Sequence, residues 1–241
     1  MEYVIAIPSY NRPCGLKNKT LNLLERHEIP KSSVYIFVVE EEYEIYNSII
    51  GDGYNLVVAE LGITNNRNFI SKYFNLGTYI LSVDDDIEEV YFLEDEIRLT
   101  PVSNLKLVIN FMINTMDSSG LNLAGLYPVR NSFFMRDTIT TDLRFCIGGF
   151  FIICNKKLML STQAESKEDY HMSIKYFIND GGILRFNNLV FKSKKHAEGG
   201  LGRDRSALNA YAAAYLVNEY PDMCVYKKGS VTEVRLKKIS N

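Results

Sequence analysis

The first 86 residues alternate short apolar runs with segments of helical pattern, and this alternation constrains the fold more than any other feature of the chain. Helical segments are expected at about 16–27, 41–50 and 64–74. They separate four runs rich in Val, Ile, Leu and Tyr: Val4–Ile7, Val34–Val39, Asn55–Glu60 and Tyr79–Val83. This β-α-β-α-β-α-β order is typical of a mainly parallel sheet covered by helices. We therefore predict an α/β fold with its ligand site beyond the carboxyl ends of the strands.

The second half of the chain has a different pattern. Helices are predicted at about 102–116, 167–178 and 206–219, and strands at 122–129, 139–146, 149–155, 183–193, 223–227 and 231–237. We expect a single domain over 1–241, with a first half (1–90), a second half (91–205) and a C-terminal helix with a basic extension (206–241).

Three consecutive carboxylates, Asp84, Asp85 and Asp86, follow the fourth strand directly. Neighbouring carboxylates repel one another unless a cation compensates them, and oxygen ligands on a short loop suit Mg²⁺ or Mn²⁺. A solvated acidic turn is the alternative interpretation. Because an apolar strand runs straight into the triplet, the sequence favours a divalent-metal site.

Two other polar segments lie at the same predicted edge of the sheet. Pro8-Ser9-Tyr10-Asn11-Arg12 closes the first strand, where an aromatic ring can stack on a nucleobase. Arg67 lies in the first turn of the helix after the third strand, and both its guanidinium and the helix N-terminus favour a diphosphate. Each segment alone also fits an ordinary strand-to-helix turn. Their position beside the acidic triplet favours ligand binding.

Composition excludes several classes of protein. Of the 241 residues, 46% are hydrophobic and 23% are charged, values typical of a globular chain. The four cysteines form no CxxC pair, which argues for a reducing compartment and against a disulfide framework or a zinc ribbon. No signal peptide is recognisable, and the longest apolar run, 145–154, is too short to span a bilayer. We expect a soluble, cytoplasmic protein, in the host cytoplasm if the source is a virus.

Taken in order, P-S-Y-N-R, then G-x-T-x-x-R-N, then a strand ending in D-D-D resemble the GT-A glycosyltransferases, especially inverting ones. The resemblance covers about the first 90 residues and continues loosely through Gly148-Gly149, Glu168-Asp169 and His196. It implies a Rossmann-like, mainly parallel central sheet flanked by helices, with a small mixed sheet on the acceptor side. It also implies that residues 1–90 form the nucleotide-binding half and residues 91–205 the acceptor and catalytic half. It also implies transfer of a sugar from a nucleotide-sugar, expected to be a UDP-sugar, with Mn²⁺ or Mg²⁺ as cofactor.

The resemblance assigns roles to individual residues. The donor would be held by Pro8, Tyr10, Asn11, Arg12, Glu40, Arg67, Asp84, Asp85, Gly148 and Gly149. Asp84 and Asp86 would form the D-x-D pair, with Asp86 the more direct metal ligand and His196 completing the metal shell. Asp169 would be the general base that removes the proton of the acceptor hydroxyl, with Glu168 as the alternative.

The C-terminal quarter is basic, which bears on the acceptor. Residues 183–241 hold 11 Lys/Arg against 5 Asp/Glu, whereas residues 1–182 hold 16 against 24. The stretch K-K-H-A-E-G-G-L-G-R-D-R resembles the TET-associated glycosyltransferases of phages and viruses, which implies 5-hydroxymethylcytosine in double-stranded DNA as acceptor. The phosphate contacts would come from Lys194, Lys195, Arg203 and Arg205. A base inside a duplex would have to flip out to reach the donor.

Two other functions stay open on the sequence alone. The same donor site can serve a glycan, capsule or lipid-linked acceptor, which needs no basic patch. A protein that binds a nucleotide-sugar without catalysing transfer would keep the fold and lose the need for Asp169.

Overall fold

The computed structural model describes residues 2–193 and 205–239, with the side chain of Arg205 left out. Four residues assigned from the sequence therefore lie outside the described part of the chain: Lys194, Lys195, His196 and Arg203. Arg205 is described only as the first residue of a helix.

The described residues form thirteen strands and seven α-helices. The strands are β1 (Val4–Pro8), β2 (Val34–Val38), β3 (Asn55–Val58), β4 (Tyr79–Val83), β5 (Ile87–Glu94), β6 (Arg98–Pro101), β7 (Leu123–Leu126), β8 (Ile139–Thr140), β9 (Phe150–Cys154), β10 (Leu184–Phe186), β11 (Leu189–Ser193), β12 (Cys224–Tyr226) and β13 (Val234–Leu236). The helices are α1 (Pro13–Leu16), α2 (Asn22–Arg26), α3 (Tyr43–Ile50), α4 (Ile63–Tyr73), α5 (Leu105–Ser119), α6 (Glu168–Asp180) and α7 (Arg205–Glu219). A π-helical turn, Lys17–Leu21, joins α1 to α2.

Eight strands make the central sheet, in the order β3-β2-β1-β4-β9-β7-β10-β8. β1 pairs in parallel with β2 and β4, and β2 pairs in parallel with β3. β9 runs antiparallel between β4 and β7, β10 is parallel to β7, and β8 is antiparallel to β10. The predicted α/β fold with a mainly parallel central sheet is confirmed. The first four strands end at one edge.

The second half departs from the predicted elements in two places. The expected strand over 183–193 is two strands in different sheets, because the chain turns at Asn187, whose side-chain amide donates to the hydroxyls of Thr138 and Thr140. The expected strand over 139–146 is only two residues long. Further along that segment the Cys146 amide donates to the hydroxyl of Ser173 instead of to a neighbouring strand.

A smaller sheet of three strands packs beside the central one; a small sheet was implied by the resemblance, but its strands β5 and β6 were not predicted from the sequence pattern. β5 pairs with β11 on one side and with β6 on the other, and both pairings are antiparallel. A third pair, β12 with β13, closes the described C-terminal region.

The core lies between the sheet and its helices because the strands are apolar on both faces. Ile5, Ile36 and Val83 are fully buried, as are Ile109 and Met112 of α5. Within the described ranges, no helix has both the length and the apolarity needed to cross a bilayer.

Candidate active site

A cleft of about 450 Å³ opens beyond the carboxyl ends of β1, β3 and β4. Its wall contains Pro8 to Tyr10 and Arg12 after β1, Glu60 to Ile63 after β3, and the triplet Asp84 to Asp86 after β4. The volume lies within the range of small-molecule sites, and the position is that expected for an open α/β sheet.

The middle carboxylate of the triplet is bound by protein groups. Asp85 is 6% exposed, and its two oxygens accept from the Ser9 hydroxyl at 2.6 Å and from Arg12 Nη1 at 3.4 Å. The Ser9 hydroxyl also bonds to the hydroxyl of Tyr46 at 2.7 Å, and that hydroxyl accepts from the Arg12 amide at 3.0 Å. Asp85 therefore holds the loop after β4 to the loop after β1, because both of its oxygens accept hydrogen bonds from side chains of that loop.

A buried threonine holds the acidic loop from the other side. The Thr20 hydroxyl, in the π-helical turn, donates to the Asp84 carbonyl at 2.7 Å and accepts from the Ile87 amide at 2.9 Å. The Asp84 amide in turn donates to the Gly149 carbonyl at 3.0 Å. The backbone of the triplet is fixed on both sides, so that its carboxylates project from a rigid loop.

Arg67 connects the acidic loop to helix α6. Its side chain is 7% exposed, and its Nη2 lies 3.7 Å from Asp84 Oδ1 and 2.9 Å from the Gly148 carbonyl. Its Nε lies 3.3 Å from Glu168 Oε1, and its Nη1 donates to the Ser82 hydroxyl at 2.9 Å. The guanidinium thus spans β4, the glycine loop and α6. Its assignment to the diphosphate stays a prediction, because every nitrogen already has a protein partner.

The N-terminus of α4, expected to add its field to a diphosphate site, is occupied by an internal carboxylate. Glu165 Oε1 and Oε2 accept from the amides of Ile63 at 2.7 Å and Thr64 at 3.1 Å. A carboxylate at this position satisfies two amides that lack partners within the helix and interacts favourably with its dipole. The sequence did not indicate Glu165, since it lies about a hundred residues away from α4.

Glu168 and Asp169 lie in the first turn of α6, beside the glycine pair. Asp169 Oδ2 accepts from the Gly148 amide at 3.4 Å, and its Oδ1 accepts from the amide of Tyr170 at 2.9 Å. Burial, and then the charge of Glu168, raise the pKa of Asp169 well above that of a free carboxyl group. A carboxyl group tuned in this direction suits proton abstraction near neutral pH.

Both glycines are required by close approach. A Cβ on Gly148 would lie 3.0 Å from Arg67 Nη2 and from Glu168 Oε1. A Cβ on Gly149 would lie 2.6 Å from the ring of Phe191 and 3.2 Å from Asp84 Oδ2. Any side chain here would separate the acidic loop from α6.

Asp84 and Asp86 are less well compensated than Asp85: among the described residues, the only ion pair that either of them makes is the 3.7 Å contact of Asp84 with Arg67. Burial of the carboxyl group raises the pKa of Asp84 to about 7, although the charge of Arg67 lowers it. The charges of Asp85 and Asp86 also raise it. The side chain as a whole is 43% exposed, on the side that faces the cleft. Burial, followed by the charge of Asp85, also raises the pKa of Asp86. Carboxylates held together at this cost fit a hard divalent cation.

The donor set fits a metal shared with a ligand. Among the described residues, no three His, Cys, Asp or Glu side chains converge on one point. Two carboxylates nevertheless suit Mg²⁺ or Mn²⁺, which commonly keep waters and take phosphate oxygens as further ligands. His196, the third predicted ligand, lies outside the described residues.

Some predicted donor residues lie away from the cleft wall, and others were missed. Glu40 and Asn11 are exposed and do not line the cleft. The backbone amide of Asn11 donates to the Glu42 carboxylate instead. Glu60 and Asn66 line the cleft, although neither was predicted to do so. The buried Oδ1 of Asn66 has no hydrogen-bond partner in the described part of the chain. The signal for Glu60 was its place at the end of the third strand, equivalent to that of Glu40 after the second.

Several solved structures share this fold. Staphylococcus aureus TarS 1-349 in complex with UDP-GlcNAc aligns over 90% of this chain and 67% of its own, with 14% identity and a TM-score of 0.54. The mannosyltransferase PcManGT from Pyrobaculum calidifontis, with GDP-Man and Mn²⁺, aligns over 91% and 64%, with 9% identity and a TM-score of 0.53. GalNAc-T7 with UDP, GalNAc and Mn²⁺ aligns over 90% and 47%, with 9% identity and a TM-score of 0.61.

The likeness is structural rather than sequential. No protein-family model matches the sequence, and no curated protein is significantly similar to it. The chain spans about half to two thirds of the length of the three solved proteins. At identities of 14% or less, these matches establish the architecture. The chain therefore has the fold of the GT-A glycosyltransferases.

Proposed function

We propose that this protein is a metal-dependent, inverting glycosyltransferase that moves a sugar from a nucleotide-sugar to a hydroxyl group. The observation that carries the proposal is the continuity of the site. Asp169 is bonded to Gly148, whose carbonyl accepts from Arg67, and Arg67 in turn reaches Asp84 at the cleft wall. A carboxyl group with a raised pKa and a candidate metal-binding triplet thus belong to one hydrogen-bonded unit.

The cleft would hold the donor. Tyr10, 48% exposed at the end of β1, offers a face on which a base can stack. Asp84 and Asp86 would hold the divalent ion and, through it, the diphosphate. The bound ion would offset the negative charge that develops on the departing nucleoside diphosphate. A UDP-sugar is the first donor to test, because TarS and GalNAc-T7 were solved with UDP-GlcNAc and UDP; GDP-Man, found in PcManGT, is the second.

Transfer would use Asp169 as the general base. The carboxylate takes the proton of the acceptor hydroxyl while that oxygen forms its bond to the anomeric carbon. The bond from the anomeric carbon to the diphosphate oxygen breaks, and its electron pair leaves with the nucleoside diphosphate. Attack on the face opposite the leaving group inverts the anomeric centre. Arg67 would act as a positioning residue, since it holds both Glu168 and the Gly148 carbonyl.

For the acceptor we propose the hydroxymethyl group of 5-hydroxymethylcytosine in double-stranded DNA. The support is the basic C-terminal quarter, with 11 Lys/Arg against 5 Asp/Glu over residues 183–241. Cations gathered on one part of an otherwise acidic chain favour contact with a phosphate backbone.

A mass-spectrometric transfer assay tests the proposal. The full chain would be incubated with Mn²⁺ and UDP-glucose, UDP-GlcNAc, UDP-GalNAc or GDP-mannose. Duplexes containing 5-hydroxymethylcytosine or cytosine would then be digested to nucleosides. A sugar mass on the hydroxymethylated base alone, abolished by EDTA, is the expected result. Metal-dependent hydrolysis of one donor without base modification would overturn the DNA acceptor and direct the search to glycans. Donor binding without hydrolysis or transfer to any acceptor would overturn catalysis.

A further inference from the structure

A second cavity, of about 280 Å³, lies beside the start of α6. It shares no lining residue with the donor cleft. Its wall comes from four parts of the chain: residues 142–145, Tyr170, Arg185, and residues 235, 236 and 238. Among the titratable side chains that line it, four are cationic (Arg144, Arg185, Arg235 and Lys238), and only Asp142 is a carboxylate.

The charges around this cavity are not balanced within the protein. Arg144 Nε pairs with Asp142 Oδ1 at 2.7 Å. Arg185, Arg235 and Lys238 have no carboxylate within ion-pair distance among the residues that the structure describes. The cavity wall therefore carries a net charge of about +3 when its five ionisable groups hold their usual charges at neutral pH.

Arg185 is the most constrained of the four cations. Its Nε donates to Asn187 Oδ1 at 2.8 Å, and its guanidinium lies over the ring of Tyr127, 5.2 Å from the centroid. Partial burial and the nearby charge of Arg144 lower the pKa of Arg185. Two guanidinium groups that act on each other in this way repel, and the single carboxylate of the cavity wall, Asp142, is already paired with Arg144.

The cavity adjoins the candidate catalytic carboxyl group. Tyr170, which lines it, directly follows Asp169, and its ring stacks on Phe145 with centroids 4.2 Å apart. Phe145 lies three residues before Gly148, a path of at most about 11 Å for an extended chain. The basic cavity therefore lies next to Asp169 along the chain, since one of its lining residues, Tyr170, is the direct neighbour of Asp169.

We propose that this cavity binds a phosphate group of the acceptor, through the guanidinium groups of Arg144, Arg185 and Arg235 and the ammonium group of Lys238. Planar guanidinium groups match phosphate oxygens bidentately, and a lysine adds a point charge. That the phosphate belongs to an acceptor rests on the proposed function, whereas the binding of phosphate does not. A phosphate held here would fix the distance of the neighbouring hydroxyl from Asp169, which is how a polyanionic acceptor could be aligned without a deep acceptor pocket.

Nuclear magnetic resonance with the full, metal-free chain tests the binding step. Dimethyl phosphate and inorganic phosphate would be titrated separately into ¹⁵N-labelled protein. We expect saturable shifts of the amides of residues 142–145 and 235–238 and of the Arg185 Nε–H group. Absence of shifts in these signals at tens of millimolar phosphate would overturn the proposal.

Two charge-matched double variants sharpen the test. Arg235 and Lys238 are exposed, so R235Q/K238Q is expected to fold, and its affinity for dimethyl phosphate should fall at least tenfold. K156Q/K228Q removes two exposed lysines from outside the cavity and should bind like the wild type. Equal weakening by both variants would indicate nonspecific attraction and overturn the site.

The source of the phosphate is decided by competition. A short duplex that displaces dimethyl phosphate from the cavity would support a nucleic-acid backbone. Displacement by glycerol phosphate but not by the duplex would support a polyol phosphate and overturn the DNA acceptor. Sugar transfer by a protein with no phosphate binding would overturn this inference alone. Phosphate binding by a protein with no donor hydrolysis or transfer would overturn the proposed function alone.

Discussion

The donor cleft and the basic cavity are opposite in charge and in construction. The cleft is acidic and is lined by loops that follow β1, β3 and β4, all within the first 86 residues. The cavity is basic and is lined by segments near 142–145, 170, 185 and 235–238. Parallel strands bring their carboxyl ends to one edge by rule, so a cleft can form from local sequence. The cavity depends on how distant segments happen to pack.

The two regions meet at the turn that contains Gly148 and at the start of α6. Arg67 and Asp84 reach this turn from the cleft side, and Phe145 and Tyr170 reach it from the cavity side. Each region carries an excess of one charge despite its internal ion pairs: a metal would offset the excess in the cleft, and an anion would offset that in the cavity. A nucleotide-sugar transfer to a phosphate-bearing acceptor would supply both.

Asp169→Asn should have the largest effect, because it removes the proposed general base. We expect kcat to fall by about 10³-fold, within the range that general-base removal produces. The amide oxygen of asparagine can still accept from one of the two backbone amides that Asp169 binds, those of Gly148 and Tyr170. Asp169 does not line the cleft, so the donor affinity should stay within about twofold. Single-turnover transfer and calorimetric UDP binding measure the two quantities. Glu168→Gln is the control for the alternative base. A larger loss of kcat in Glu168→Gln than in Asp169→Asn would exchange their roles.

Arg67→Met should damage stability as well as activity. The substitution leaves Glu168 and Asp84 without their buried partner, and breaking a buried ion pair in this way costs about 3 kcal/mol. Urea unfolding of the metal-free protein measures the loss. Arg26→Met is the matched control, since Arg26 is half-exposed and pairs with Glu89 at the surface; about 0.5 kcal/mol is expected there. Similar losses of stability in both variants would show that Arg67 does not link Asp84 to Glu168 as a buried ion-pair partner.

The fold of the first half was predictable because strand periodicity and polar strand ends carry the information locally. The acidic triplet and the loop after β1 were identified on that basis, and both line the cleft. Contacts that depend on tertiary packing were not visible: Glu165 capping α4, Thr20 holding the acidic loop, and Arg185 at the basic cavity. The strand expected over 183–193 divided for the same reason, since Asn187 bonds to a distant segment.

Asp86→Ala should affect ligand binding in the cleft and not in the cavity. We expect Mn²⁺-dependent affinity for a UDP-sugar to fall by about 10- to 100-fold, as for the loss of a group that supports a metal site. Affinity measured in EDTA should be unchanged, because the remaining contacts do not involve the metal. Asp95→Ala, on the exposed turn between β5 and β6, removes the same charge elsewhere. Equal affinities of wild type and Asp86→Ala in Mn²⁺ would exclude Asp86 as a ligand.

Asp84 allows a smaller test, based on pH. Its folded-state pKa of about 7 exceeds the ordinary value of 3.8, so the folded protein binds the proton more tightly than the unfolded chain. The stability that this group contributes is therefore fully present below about pH 4 and is lost as the pH rises to about 7. Since 43% of the side chain is exposed, solvent screening reduces the effect to about 1 kcal/mol, or about 3 °C in Tm.

Asp84→Asn should remove this component. Thermal unfolding of the metal-free proteins from pH 4 to pH 8 should show the wild type losing more stability than the variant, with Asp95→Asn following the wild type. At pH 7.5, Mn²⁺ should raise the Tm of the wild type more than that of Asp84→Asn, because only the wild type has a carboxylate at position 84 that can bind the cation. Parallel curves for wild type and Asp84→Asn would mean that the triplet bears no electrostatic cost. The charge of the donor diphosphate, and not that of the protein, would then be the reason to expect a metal.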